Sequence, residues 1–380
     1  MKIVFTGGGT GGHFYPIIAV AEQLQELIYK NKLIGAKLYF IAPEPYNKKI
    51  LADHQLIFVK VISGKWRRYF SFLNYWDMVK LSIGSIQAVF KLFFIYPDVL
   101  FSKGGYASMP ALIAAKLLKI PVVIHESDTK PGRASLFASK FAKVIAVSYA
   151  EAATYFPPEK TIVTGQPLRR EILNPIPEGA KKFLKLEKDL PIILILGGSL
   201  GASKINDIIL EGLDRLVETY QIIHQTGPDN FNEVTKIAKV ILDNNPNEKH
   251  YQPFPYLNNL ALRMAAGVAD VVISRAGSSI FEIAHWQIPA ILIPIPENIS
   301  HDQKHNAFTY ARNGGAVVIE EANLSDAILL SELNRILSRP EIIKNMKEGA
   351  RLFDIPNSGQ QIAEEIINIA LKHEQHQQTS

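Results

Sequence analysis

The order strand, glycine turn, helix stands at the head of each half of this chain, and it constrains the fold more than any other feature. MKIVFTGGGTGGHFYPIIAVAEQL opens the first half, where five of the seven residues from Gly7 to His13 are glycine. PIILILGGSLGASKIN (191–206) opens the second. An apolar run that breaks at glycines and resumes with helical spacing places free backbone N–H groups and a helix N-terminus at the end of a strand. Twice in one chain, it predicts two strand–helix domains.

The rest of the chain keeps that rhythm. In the first half the strands read KIVFT (2–6), KLYFIA (37–42), LIFVKVI (56–62), DVLFS (98–102), PVVIHE (121–126), KVIAVS (143–148) and TIVTG (161–165). Amphipathic stretches such as PIIAVAEQLQELI and ALIAAKLLK lie between them. QIIHQ, DVVISRAG and PAILIPI carry the pattern through the second half. Such alternation implies an α/β fold with doubly wound, mostly parallel sheets, two Rossmann-like domains facing each other across a cleft. We divide the chain into a first domain at 1–165, a linker at 166–190, a second domain at 191–356, and a C-terminal helix with tail at 357–380. The Pro-rich, charged segment NPIPEGAKKFLKLEKDLP (174–191) reads as linker or peripheral helix. The last segment is read as packing back toward the first domain, with HQQTS as a frayed tail.

Composition narrows the function. The chain of 380 residues is 47% hydrophobic and 20% charged, as a folded protein with a large core would be. It has no cysteine, so disulfides and thiolate chemistry are excluded, in keeping with a reducing cytosol. No signal peptide is read at the start. No stretch is read as approaching the roughly 20 apolar residues of a spanning helix, so integral insertion is not expected. Residues 1–165 hold 20 Lys and Arg against 10 Asp and Glu, while the remainder is mildly acidic. A basic half points to an anionic partner: nucleic acid, an anionic membrane or a phosphorylated ligand.

The turns favour the phosphorylated ligand. TGGGTGGH lacks the Gly-Lys-Ser/Thr of a P-loop, and no acidic residue closes the second strand until Glu44, which argues against NAD. His13 lies at a helix N-terminus, whose dipole favours the neutral, base-competent imidazole; the competing reading is a capping or packing histidine. In GGSLGASKIN, Ser199 adds a hydroxyl beside the turn. A third turn follows DVVIS: Arg275, Gly277 and Ser278 precede a helix whose first-turn Glu282 suits a ribose cis-diol, against the plainer reading of an N-cap with an ordinary acidic residue. No Asp-x-Asp pair stands at a strand end, so neither a metal nor any other cofactor is expected.

Seven segments, TGGGTGGHFYP, FSKGGYASMP, IHESDTKPG, VTGQPLRREIL, GGSLGASKIN, ISRAG…FEIA and DQKHNA, resemble in their order the MurG family of GT-B glycosyltransferases. The resemblance implies an inverting transfer of GlcNAc from UDP-GlcNAc to the C4 hydroxyl of MurNAc in lipid I (undecaprenyl-pyrophosphoryl-MurNAc-pentapeptide), giving lipid II for peptidoglycan. It implies a peripheral enzyme on the cytoplasmic face of the cell membrane, with other cell-wall synthesis proteins as candidate partners. By residue, it implies that Thr10, Gly11 and Gly12 meet substrate and diphosphate and that His13 is the base. Tyr106, His125 and Glu126 become acceptor-side or catalytic residues, and Asp128 a contact to GlcNAc. Arg169 and Ser199 fall near the donor diphosphate, Phe254 and Pro255 at the uracil, Arg275, Gly277 and Ser278 at the third turn, Glu282 on the ribose and Gln303 on the sugar hydroxyls. A diacylglycerol glycosyltransferase and a non-catalytic sugar-nucleotide scaffold are the alternatives.

One further stretch, SGKWRRYFSFLNYWDMVKLSIGSIQAVFKLFF (63–94), interleaves aromatics with arginines. Trp66, Arg67, Arg68, Tyr69, Phe70, Phe72, Leu73 and Trp76 are read as contacts to an anionic membrane surface. Ile86 and Phe90, further along, are read as ordinary core. With this stretch so apolar and no recognition motif beside it, nucleic acid is not expected.

Overall fold

Runs of Val, Ile and Leu become central strands when helices cover both faces of a parallel sheet. In the computed structural model this happens twice. The described residues are 1–64, 73–186, 189–198, 201–297 and 302–378. They group into one unit of Met1–Arg169 with Ile355–Ser380, and a second of Arg170–Asp354.

The first unit holds seven parallel strands: β1 (Lys2–Thr6), β2 (Lys37–Ala42), β3 (Leu56–Lys60), β4 (Val99–Ser102), β5 (Val122–Glu126), β6 (Val144–Val147) and β7 (Thr161–Val163). Their order is β3-β2-β1-β4-β5-β6-β7. Thr6 at the end of β1 registers with Ile41 on one side and Ser102 on the other. The strand order reverses between β1 and β4, which opens a crevice beyond their C-terminal ends. The helix Gly11–Lys30 covers one face with Phe14, Ile17, Ile18 and Leu24, and the helix Ser358–Gln378 joins that core through Ile362, Ile366 and Ala370.

The second unit repeats the plan with β8 (Ile192–Leu196), β9 (Gln221–Gln225), β10 (Tyr251–Phe254), β11 (Val271–Ser274), β12 (Ala290–Leu292) and β13 (Ala316–Val318), in the order β10-β9-β8-β11-β12-β13. The period of two is visible in β8. Ile193 and Ile195 enter one core cluster, while Ile192, Leu194 and Leu196 enter the other, on the opposite face. Here the reversal lies between β8 and β11.

Several expectations are corrected. β7 stops at Val163 rather than Gly165, because Gly165 takes φ +77° and its carbonyl accepts from the His125 ring and the Ser358 hydroxyl. The last helix runs to Gln378, so part of the expected tail is helical; no glycine or proline interrupts the run of good helix formers before it. Ile86 and Phe90 are not core: they are 59% and 62% exposed. Tyr75–Ile95 is, by length and composition, long and apolar enough to cross a membrane, where no such stretch was expected.

The reason lies in which face of the helix Leu73–Ile95 is packed. Apolar residues occupy every face of it, so periodicity does not mark a buried stripe. Close approach does. A Cβ on Gly84 would fall 1.8 Å from the Ile62 carbonyl oxygen, and one on Gly64 would fall 1.9 Å from that of Asp77. Small residues therefore take the seam, with Gly84, Ala88 and Leu92 inward, and the large side chains are left outside. We predict that Gly84→Ala costs about 1–3 kcal/mol by overpacking this seam, while Ile86→Ala changes stability by less than about 0.5 kcal/mol. Urea titration of the two variants checks the ordering, and equal effects would contradict it.

Candidate functional site

Each sheet presents chemistry at its reversal point, and the two are described separately. In the first unit, the glycine loop leaves β1 and approaches the turn after β4 closely enough to exclude side chains. Gly9 takes φ +92°, and a Cβ there would lie 2.8 Å from the Tyr106 ring. A Cβ on Gly7 would lie 3.1 Å from the Lys103 Cβ. Thr10 takes the N-cap position of the following helix, but its hydroxyl pairs with His13 Nδ1 at 2.9 Å instead of capping the backbone. In the tautomer where Nδ1–H donates to Thr10, His13 Nε2 presents a lone pair beside Gly105; a Cβ on that glycine would lie 3.5 Å from it. Desolvation, and then the nearby Lys103 ammonium, push His13 down to about 4. It is neutral at physiological pH.

The β5 end supplies the next layer. Glu126 accepts from the backbone N–H groups of Ser127 (2.8 Å), Asp128 (3.1 Å) and Gly132 (3.0 Å), so both of its oxygens hold the turn that carries Asp128. His125 is fully buried, with Nε2 donating to the Gly165 carbonyl at 2.9 Å, and desolvation holds it well below its ordinary value. In this geometry Glu126 builds the turn from behind, and His125 ties β5 to Gly165 beyond β7. Thr10, Gly11, Gly12, His13, Tyr106 and the half-buried Asp128 gather at the ends of β1, β4 and β5. Arg169 stacks its guanidinium 3.8 Å over the Tyr15 ring, on the glycine-loop helix.

Sequence reasoning passed over Lys103, which is 3% exposed and donates through Nζ to Ser127 Oγ. Its signal was available: a lysine directly after an apolar strand, inside a glycine turn, belongs to the site or must be buried at a cost.

In the second unit, β8 ends in Gly197–Gly198; Ser199 lies outside the described residues. Gly201 takes φ +82°, and a Cβ there would meet the Thr226 carbonyl oxygen at 2.3 Å. Gln225, also not foreseen, donates to the Gly198 carbonyl (3.0 Å) and accepts from Leu257 N–H (3.0 Å), tying the glycine turn to the segment after β10. Phe254 and the exposed Pro255 stand in that segment. After β11, Ser278 takes the N-cap position of the helix Ser279–Trp286, with Glu282 in its first turn. Ser279 turns inward to the Ser274 hydroxyl at 3.1 Å. Arg275 spends Nη1 on the Glu321 carboxylate (2.6 Å) and the Ile293 carbonyl (3.1 Å). Gln303 accepts from Ile295 N–H at 3.2 Å, and its Nε2 would lie 3.9 Å from a Cβ on Gly277. Glycine turn, helix N-terminus, acidic residue and glutamine thus share one end of the sheet.

Of the membrane-contact group, Trp66, Arg67, Arg68, Tyr69, Phe70 and Phe72 lie outside the described residues, as does the side chain of Leu73. Trp76 is 61% exposed on the helix Leu73–Ile95.

Comparison with known proteins covers both sheets. The N-terminal domain of glycosyltransferase family 28 matches residues 3–147, and the C-terminal domain of that family matches residues 192–366. A UDP-N-acetylglucosamine–N-acetylmuramyl-(pentapeptide) pyrophosphoryl-undecaprenol N-acetylglucosamine transferase of Treponema denticola is 35% identical over 368 residues, 92% of each chain. A transferase of the same name, numbered 2, from Bacillus cereus is 37% identical over 345 residues, 90% of this chain and 93% of that one. The crystal structure of MurG from Acinetobacter baumannii superposes with a TM-score of 0.72 at 25% identity, covering 97% of this chain and 99% of that one. The UDP-GlcNAc 2-epimerase of Neisseria meningitidis shares the fold, with a TM-score of 0.67 at 15% identity over 98% of this chain and 100% of that one.

Replacing one Glu126 oxygen by an amide sets a donor against a donor in the Asp128 turn. We expect Glu126→Gln to lose about 1–3 kcal/mol of stability, as for a buried charged acceptor left mismatched. Thermal or urea unfolding checks this, and an unchanged midpoint would contradict the assignment of Glu126 to the backbone.

Proposed function

The chain belongs to glycosyltransferase family 28, and we infer from that membership that it is a UDP-GlcNAc-dependent transferase moving GlcNAc onto the MurNAc C4 hydroxyl of lipid I, which makes lipid II. The observation that carries this reading is that similarity to the named transferases runs through both halves of the chain and takes in the turns at both sheet reversals. Their names specify a muramyl-pentapeptide acceptor, so a diacylglycerol acceptor is not favoured.

The chemistry follows from the residues. In inverting transfer the acceptor O4 attacks the anomeric carbon while the bond to the diphosphate breaks, and UDP leaves with the electron pair. The O4 proton must go to a base as its oxygen becomes bonded. His13 Nε2 takes that role when Nδ1–H is held by Thr10. An anionic diphosphate near the ring raises its proton affinity from about 4 toward the working pH. Charge that grows on the leaving group is met by fixed N–H groups of the glycine turns, by helix N-termini and by Arg169, each of which favours the transition state over the ground state. In the second unit, Glu282 accepts from the ribose hydroxyls and Gln303 reads the sugar. Phe254 and Pro255 edge the base, and Gly277 and Ser278 present the helix N-terminus to the diphosphate. Arg275 holds that turn in place through Glu321. In the first unit, Tyr106 walls the glycine loop at Gly9, and Asp128 offers a carboxylate suited to a sugar hydroxyl.

The helix Leu73–Ile95 brings the enzyme to its lipid-linked acceptor. Trp76, Ile86, Phe90, Phe93 and Phe94 form an exposed face, with Phe94 at 79% exposure, while the Gly84–Ala88–Leu92 stripe is held by the protein. That face lies on the membrane rather than crossing it, and the basic first half adds about 1 kcal/mol per lysine or arginine near an anionic surface.

Two outcomes follow. His13→Ala should lower GlcNAc transfer to a lipid I analogue about 10²–10⁴-fold while UDP-GlcNAc binding by calorimetry is retained; unchanged turnover removes His13 as the base. The full chain should co-sediment with phosphatidylglycerol vesicles more than with neutral ones, and Phe90→Ser with Phe94→Ser should abolish most of that binding. Equal sedimentation with neutral vesicles counts against electrostatic docking.

A further inference from the structure

One buried cation in the first unit has no part in the reaction as laid out above. Lys103 follows β4, and its backbone N–H donates to the Thr6 carbonyl at 2.9 Å, which sets its stem under the first glycine loop. The missing Cβ of Gly7 makes room for it. Its ammonium ends at Ser127 Oγ, and Ser127 in turn donates to Gln166 Oε1 at 2.8 Å, which also accepts from Ser148 at 3.0 Å. The charged and titratable groups around it come from three elements. His125 and Glu126 act on it from β5, Asp128 from the turn that follows, and His13 from the glycine-loop helix.

We propose that Lys103 is a positioning residue for the transfer: its ammonium holds Ser127, and with it the Asp128 turn, against the first glycine loop, and sets a positive charge in the strand end whose Gly105 meets the His13 ring. This rests on the reading of His13 as the base. The carboxylates of Glu126 and Asp128 attract the buried ammonium, and opposite charge nearby favours its charged form. Desolvation lowers Lys103 to about 8 against the opposing pull of Glu126 and Asp128, so it is largely charged at neutral pH. A like charge disfavours protonation of its neighbour. Desolvation is the larger cause at His13 and Lys103 the second, so removal of the ammonium releases only part of the depression.

The test uses full-length protein with Lys103→Met, Lys103→Gln and Lys103→Arg. Lys103→Gln keeps a donor for Ser127 without the charge, and serves as the neutral variant if Met impairs folding. Transfer from UDP-GlcNAc to a lipid I analogue is followed from acid to neutral pH, and the His13 ring is titrated by NMR in the same proteins. We expect both neutral variants to move the acid limb of kcat/KM and the His13 titration upward together, by roughly one pH unit, and Lys103→Arg to leave both where the wild type has them. A His13 titration that does not move in the neutral variants overturns the proposal, whatever happens to kcat. An inactive wild type, or an active His13→Ala, would instead defeat the reading of the reaction; the NMR titration, which needs no turnover, still decides whether Lys103 acts on His13.

Discussion

Everything in this structure depends on the turns and helix N-termini that stand where a parallel sheet reverses its strand order. Between β1 and β4, and again between β8 and β11, the connections diverge and the strand ends open onto a turn and a helix N-terminus. The first N–H groups of a helix have no intrahelical acceptor, and the aligned peptide dipoles behind them favour negative charge. Such a place suits an anion such as a diphosphate. Glycine is required where a second turn must come close: beside Tyr106 in the first unit and beside Thr226 in the second, where a Cβ would overlap its neighbour.

Around those donors the protein holds its ionisable groups in layers. Glu126 gives its oxygens to three amides, and His125 gives Nε2 to Gly165, which itself closes β7 and receives Ser358 from the last helix. Lys103 then lies between that scaffold and His13. Such layering explains how polar side chains survive burial at one sheet end: Glu126, His125 and Lys103 each make a hydrogen bond that anchors a neighbouring segment. In the second unit Gln225 does the same with a neutral amide. It spans from the glycine turn to the segment that follows β10.

Much of this was legible in the sequence because the informative signals were local. A glycine run after an apolar strand, a helix N-terminus and a first-turn acidic residue depend on near neighbours, and β1, β2 and the turn preceding Glu282 stand where the pattern put them. What escaped depended on partners distant in the chain. Lys103 acquires its meaning from Ser127 and His13, and Gln225 from Gly198 and Leu257; no periodicity records those contacts. The apolar helix was misjudged for another reason. Its apolar residues fall on every face, so the buried face was chosen by Gly84 fitting against Ile62, and Ile86 and Phe90 were turned outward.

The central claim is that peptide N–H groups, rather than side-chain cations or a metal alone, hold the leaving diphosphate. A crystal structure of the enzyme with UDP-GlcNAc tests it most directly. The account predicts phosphate oxygens within hydrogen-bonding distance of backbone N–H groups in the turns after β8 and β11, with the ribose on Glu282. Phosphates seated away from those turns, on other side chains and with the backbone donors still facing solvent, would contradict it.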